Sequence, residues 1–204
     1  MKQTIVLPKM IFLDVNPSIT ASWCKYFNMD SVEIASSDFK EFIKFYGNEI
    51  DAIVSPANSF GLMDGGYDKA IIEVYGNELQ TLIKEKIQKK YYGEQPVGTA
   101  MTVKIPGTSK ILIHVPTMRT PCRIKDEMVI YHCMRSTLIE AVNQGVKRML
   151  VPAFGGLTGQ VPPDTIARMM WGACVQFSIS YPVSSWEEAI DYTDIHLWAK
   201  YFAK

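Results

Sequence analysis

Six short runs rich in Ile and Val punctuate the chain, and most are followed by a stretch of helical periodicity. The runs are Met10–Val15, Val32–Ser36, Asp51–Ser55, Thr99–Ile105, Lys110–Val115 and Lys147–Ala153. Continuous apolar runs of this length are the pattern of strands covered on both faces. Helical spacing appears over Ser18–Phe27, Phe39–Tyr46, Tyr67–Tyr75, Glu78–Lys90, Asp126–Asn143 and Pro163–Phe177. Within the fifth, Met128, Tyr131, Met134, Leu138 and Val142 fall on one helical face, and Gly145 follows as a C-terminal glycine. The sixth opens with Pro163 and Asp164, both suited to a first turn. Strands that alternate with helices predict a three-layer α/β fold with a central sheet between helical layers. Toward the end, Ser185-Trp186-Glu187-Glu188 reads as a capping box that starts a helix. The segment from there to Phe202 carries Trp186, Tyr192, Trp198, Tyr201 and Phe202, which are expected to pack the tail onto the core.

No linker or internal repeat divides the 204 residues, so one domain is expected over 1–204. Hydrophobic residues make up 48% and charged residues 21%, which excludes global disorder. Basic and acidic residues number 21 each, so no broad positive field attracts nucleic acid or an anionic membrane. The apolar runs are too short to span a bilayer, and the start is too soon broken for a signal peptide. Cys24, Cys122, Cys133 and Cys174 form no CxxC pair, so free thiols in a cytoplasmic protein are the expectation.

Ligands of open α/β sheets bind beyond the carboxyl ends of strands, and two such loops are unusual here. After the third run comes Pro56-Ala57-Asn58-Ser59-Phe60-Gly61-Leu62-Met63-Asp64-Gly65-Gly66-Tyr67-Asp68, polar and long for its place. Asn58 offers a donor and an acceptor suited to paired ribose hydroxyls. Asp68 lies in the first turn of the next helix, where it is either a cap or a base set against water. After the sixth run comes Phe154-Gly155-Gly156-Leu157-Thr158-Gly159, which feeds another helix. Its glycines expose backbone N–H groups beside a helix N-terminus, an arrangement that holds anions without a lysine. Neither a Walker A loop nor a GxGxxG fingerprint is present.

Together these loops resemble the macrodomain family, which binds ADP-ribose. Ser55-Pro56-Ala57-Asn58-Ser59 with Gly65-Gly66-Tyr67-Asp68-Lys69-Ala70-Ile71 is similar to that family's N-A-A-N-S…G-G-G-V-D-x-A-I stretch. Val151-Pro152-Ala153-Phe154-Gly155-Gly156-Leu157-Thr158-Gly159 resembles its phosphate-binding loop, and Ser36-Ser37-Asp38 sits where the family has Gly-Asp. Ile113-His114-Val115-Pro116-Thr117-Met118-Arg119 is similar to the small bacterial and phage branch. The likeness covers about Val32 to Cys174. It implies a three-layer α/β/α fold with a central mixed, largely parallel sheet of about six strands. An N-terminal strand and helix and an aromatic helical extension at the other end would flank that core.

The resemblance also implies roles. Asp38 would accept the adenine amino group, Asn58 would hold the distal ribose and orient water, and Asp68 would act near the scissile bond. Gly65 and Gly66 would close over ribose and diphosphate. Gly155, Gly156, Leu157, Thr158 and Gly159 would cradle the phosphates, with Phe154 packed near adenine or ribose. Ala57, Tyr67 and Pro116 complete the expected contacts. Two departures stand out: Gly155-Gly156-Leu157 stands where the family commonly has Gly/Ser-Thr-Gly, and Asp64 brings a carboxylate close to an expected anion. Met118 stands where one hydrolytic branch has an adduct-forming lysine, so that mechanism is not expected.

Rival constellations are weak. His132 and Cys133 are adjacent on a helix and cannot face one ion, and no GxSxG elbow occurs. The basic run Lys84–Tyr92 reads as a solvated helix end rather than a nucleic-acid surface. The expected activity is metal-independent and cofactor-free hydrolysis of a group on an ADP-ribose derivative. Its alternative is a non-catalytic reader or sponge for such a nucleotide. ADP-ribose, or an ADP-ribosylated protein, is the expected partner.

Overall fold

The structure is a computed structural model that describes residues 3–180 and 182–194. Trp198, Tyr201 and Phe202 of the aromatic tail lie outside the described residues. In chain order, a short β1 (Gln3–Thr4) precedes β2 (Lys9–Leu13), α1 (Pro17–Tyr26), β3 (Val32–Ala35) and α2 (Phe39–Tyr46). A 3-10 turn (Gly47–Glu49) leads to β4 (Ala52–Asn58), α3 (Gly66–Tyr75) and α4 (Glu78–Tyr91). The chain continues through β5 (Met101–Lys104), β6 (Ile111–Met118), α5 (Met128–Asn143), β7 (Arg148–Pro152) and α6 (Pro163–Ser178). It closes with β8 (Ile179–Ser180) and α7 (Trp186–Thr193).

Six strands form one sheet in the order β3-β2-β7-β4-β6-β5, all parallel except the antiparallel edge strand β5. This is the mixed, largely parallel α/β/α architecture expected. Alternation along the strands builds a core on each face. Met10 and Phe12 of β2 and Met149 and Val151 of β7 join Trp23, Met134 and Met170, beneath α1, α5 and α6. Ile11, Leu13 and Leu150 point the other way and join Phe39, Ile71 and Ile83, beneath α2, α3 and α4. Burial on both faces is why these strands read as continuous apolar runs rather than alternating ones.

Several boundaries differ from expectation, and β6 as well as β4 runs three residues further than expected. β4 continues three residues past Ser55, through Pro56. Its pairing with β7 ends at Ile53, and from there only β6 accompanies it, so a proline lacking an N–H is tolerated. The register on β6 then slips, with Ala57 opposite Pro116 and Asn58 opposite Met118, which leaves Thr117 as a bulge beside the cleft. The β1–β8 pair is antiparallel and two residues long, too short to carry a periodic signal.

The capping box is half formed. Ser185 Oγ accepts from Glu188 N at 3.1 Å, whereas the Glu188 carboxylate accepts from Ser184 N and Oγ at 2.8 and 2.7 Å. Trp186 is 87% exposed rather than packed on the core. Tyr192 ties α7 down by donating from its hydroxyl to the Gln176 carbonyl at 2.9 Å.

Candidate functional site

The carboxyl ends of β2, β3, β4, β6 and β7 open into a cleft of about 390 Å³, within the range of small-molecule sites. Its walls include Asp38, Ala57, Asn58, Gly65, Gly66, Tyr67, Asp68, Gly155, Gly156, Leu157, Thr158 and Gly159. Of the residues singled out from sequence, Pro116 and Phe154 do not line it.

The loop after β7 carries the main chemical feature. Among the described residues, no backbone N–H of the five residues Gly155–Gly159 donates to a protein acceptor. The loop is held through its carbonyls instead. Gly155 O accepts from Val161 N at 3.1 Å, Leu157 O from Gln160 N at 3.2 Å and Gly159 O from Ile124 N at 2.9 Å. The glycines answer to packing from below. At Gly155 (φ +76) a Cβ would meet Ile124 Cδ1 at 2.9 Å and Ile130 Cδ1 at 3.0 Å, and at Gly159 it would meet Gly155 O at 2.7 Å. A loop pressed onto the core on one side, with its N–H groups unclaimed, has donors free for a ligand, an arrangement suited to an anion.

Opposite it stands the N-terminus of α3. Gly65 is the N-cap and no side chain caps the helix, so the first-turn N–H groups and the helix dipole face the same cleft. Leu157, 75% exposed, reaches across toward this turn. A Cβ on Gly66 would lie 3.4 Å from Leu157 Cδ2, so the bulk at 157 narrows the opening between the two loops.

Carboxylates supply the side-chain chemistry. Asp68 is 7% exposed, and its Oδ1 accepts from Ser55 Oγ at 2.6 Å. Burial pushes its pKa up to about 7, a rise that the Ser55 hydrogen bond opposes and the charge of Asp64 reinforces. Asp38 caps α2 through Oδ1, which accepts from Lys40 N at 2.8 Å and Glu41 N at 3.3 Å, while Oδ2 takes part in neither bond. Asp14, not singled out from sequence, also lines the cleft, as does Asp64. No Lys, Arg or His is among the lining residues. Attraction for an anion therefore rests on backbone N–H groups, and the carboxylates are left as acceptors for hydroxyl and amino groups. Among the described residues, no three His, Cys, Asp or Glu side chains gather where they could hold a metal ion. No described helix is long and apolar enough to cross a membrane.

Asn58 lines the cleft, but its amide is engaged locally. Nδ2 donates to Leu62 O at 2.7 Å, and Oδ1 accepts from Phe60 N at 3.1 Å and Leu62 N at 3.3 Å. The side chain thus builds the loop and retains one free N–H for a ligand. His114, fully buried, has Nδ1 2.8 Å from Gln95 Oε1, and burial pushes its pKa down to about 3, so it stays neutral. Pro116 is buried, and its carbonyl accepts from Gly98 N at 2.9 Å. Phe154 is fully buried within the core under α1, α5 and α6. Phe154→Ala is accordingly expected to lower stability by about 3–5 kcal/mol in chemical denaturation, as a core truncation does. A selective loss of nucleotide affinity with unchanged stability would instead place the ring at the ligand.

The sheet order and the cleft define an α/β protein whose glycine-rich loop and uncapped helix start meet at the carboxyl end of its sheet. Residues 54–170 match the Macro domain family model, and the chain belongs to that family. An uncharacterized protein of Aquifex aeolicus is 34% identical over 123 residues, covering 60% of this chain and 71% of its own length. A Mycobacterium tuberculosis protein is 31% identical over 128 residues, covering 61% of this chain, which spans only 33% of that longer relative. Among solved structures, an Oceanobacillus iheyensis macrodomain mutant with ADPR shares the fold over 98% of each chain, at 18% identity and a TM-score of 0.61. The Mycobacterium tuberculosis DarG macrodomain does so at 19% identity and a TM-score of 0.55, covering 66% of this chain and 90% of its own. Thermosipho africanus DarTG in complex with ADP-ribose aligns over 64% of this chain and 36% of its own, at 16% identity and a TM-score of 0.54.

Proposed function

We propose that the cleft binds ADP-ribose or a derivative and hydrolyses a group attached to its distal ribose. The observation that carries this reading is the run of unclaimed N–H groups at Gly155–Gly159 in the cleft that the uncapped start of α3 also lines, with Asp68 among the residues of its wall. A diphosphate fits the two donor sets. Asp38 Oδ2 suits the amino group of a base, and Asn58 suits a ribose hydroxyl. Asp68, with a pKa near neutrality, suits proton transfer in either direction. In the hydrolytic step its carboxylate takes a proton from water, and the water oxygen bonds to the electrophilic carbon or phosphorus carried on the ribose. The bond to the ribose oxygen breaks, and that oxygen leaves with the proton that Asp68 returns. The N–H groups hold the diphosphate still throughout.

A reader without turnover is the second reading. It is favoured by the Asn58 amide, which is tied into its own loop and so little available to steer water. Incubation with ADP-ribose 1″-phosphate, O-acetyl-ADP-ribose and an ADP-ribosylated protein separates the two. Release of ADP-ribose from at least one supports hydrolysis. Tight binding with no release from any supports the reader.

A further inference from the structure

Ser55 lies on β4 immediately before Pro56, the residue at which that strand joins the cleft wall. Ser55 is completely buried, and its hydroxyl lies 2.6 Å from Asp68 Oδ1, thirteen residues further along the chain. That is the length of an O–H···O⁻ bond to an ionised carboxylate. A serine hydroxyl carries one proton, and here it is directed at a single oxygen of a two-oxygen group. The terminal torsion of aspartate is broad and nearly two-fold, so an untethered carboxyl would turn freely between equivalent settings.

We infer that Ser55 is a positioning residue for Asp68: its hydroxyl fixes the carboxyl plane through Oδ1 and leaves Oδ2 as the oxygen offered to a water or ribose hydroxyl in the cleft. This rests on the hydrolytic reading for its consequence in turnover, but not for its effect on the carboxyl itself. Ser55 also links two layers of the site, since it sits on a central strand opposite His114 while Asp68 rides on the helix that covers that strand. A shift of α3 relative to β4 would therefore misplace Oδ2 directly.

The groups around the Asp68 carboxyl set what the bond has to do. Asp64, on the loop before α3, disfavours ionisation by its charge. The Tyr67 phenol on α3 feels Asp68 together with Asp14 from the end of β2, Asp38 from the end of β3, and Tyr75. All of these are acidic. Among the described residues, Ser55 is the side chain that favours the charged form of Asp68.

Ser55→Ala removes the tether with a smaller side chain, and Ser55→Thr keeps a hydroxyl at the same place. The Asp68 carboxyl is followed by carbon-13 NMR over a pH titration in wild type, both variants and Asp64→Asn. Loss of the hydrogen bond in Ser55→Ala should raise the Asp68 midpoint by about one pH unit or more, whereas Asp64→Asn should lower it. The alkaline shift should appear equally in the kcat profile, with kcat at pH 7 reduced about 10- to 100-fold and the Kd for ADP-ribose within about two-fold. Ser55→Thr, which keeps the hydroxyl, should recover the wild-type midpoint. A midpoint unmoved in Ser55→Ala overturns the inference, whatever the activity. A midpoint that moves in a protein releasing ADP-ribose from none of the three substrates leaves Ser55's hold on Asp68 standing and defeats the hydrolytic reading instead.

Discussion

Asp68→Asn is expected to abolish turnover, by about 10²- to 10⁴-fold, while ADP-ribose still binds with a Kd within a few-fold of wild type. The variant keeps the shape of the side chain and an acceptor for Ser55, but it cannot take up a proton. Because the diphosphate donors belong to the backbone of Gly155–Gly159 and the start of α3, they are untouched by the change. Equal loss of binding and turnover would show instead that the carboxyl holds ligand rather than reacts.

The same substitution has a pH-dependent effect on stability whose sign follows from the raised pKa. Asp68 rises from an ordinary 3.8 to about 7 in the folded protein. Between those values the native state binds more protons than the unfolded chain, so stability falls as pH rises through the window. Below it both states are protonated and nothing is lost. Above it the buried charge bears its full penalty, at most about 4 kcal/mol from a shift of this size and reduced by its favourable place in the first turn of α3. Urea denaturation should find Asp68→Asn more stable than wild type by about 1–3 kcal/mol at pH 8 and nearly equal to it at pH 4. A variant less stable than wild type at pH 8 would show that the ionised carboxyl is a net stabilising group.

Gly159→Ala should be the more damaging change to the cradle. A Cβ there would sit 2.7 Å from Gly155 O and 2.9 Å from Gly155 Cα, backbone atoms that yield only if the whole loop moves, and 2.7 Å from Ile124 Cδ1. The loop would open at the segment whose N–H groups it presents. The expected outcome is a loss of at least about 2 kcal/mol of stability and a fall in ADP-ribose affinity of about 100-fold. Gly65→Ala is the matched control. Gly65 has extended backbone (φ −142), and a Cβ there meets nothing within 4 Å, so only the poorer N-cap quality of alanine acts and stability should fall by no more than about 1 kcal/mol. Should Gly159→Ala fold and bind as the wild type does, the cradle is not where the ligand's anion lies.

The fold was readable from sequence where burial is two-sided. All six sheet strands announce themselves because residues such as Met10, Ile11, Phe12 and Leu13 are apolar whichever face they meet. Pro56 hid the end of β4, since a proline inside a run ordinarily argues against a strand, and the missing partner on one side cannot be seen in one dimension. Within the site, the glycine loops were legible because exposed backbone requires small residues in a recognisable pattern. Phe154 is not legible as a core residue because the loop it opens lines the cleft while its own side chain turns back into the core. Ser55 carried no signal as a site residue: a serine inside an apolar run gains its meaning only from Asp68, brought alongside by the return of α3 over β4. Asn58 was identified as a cleft residue, but its bonds within residues 58–62 follow from a turn geometry that only the folded loop shows.

In the proposed complex a nucleotide diphosphate is held by backbone N–H groups rather than by cationic side chains. Titration of the nitrogen-15-labelled protein with ADP-ribose, followed amide by amide, tests it most directly. Saturable shifts are expected at Gly155–Gly159 and at Gly66–Asp68, changing little between low and moderate salt because no lysine or arginine lines the cleft. Amides of these two segments that stay unmoved at millimolar ADP-ribose would contradict it.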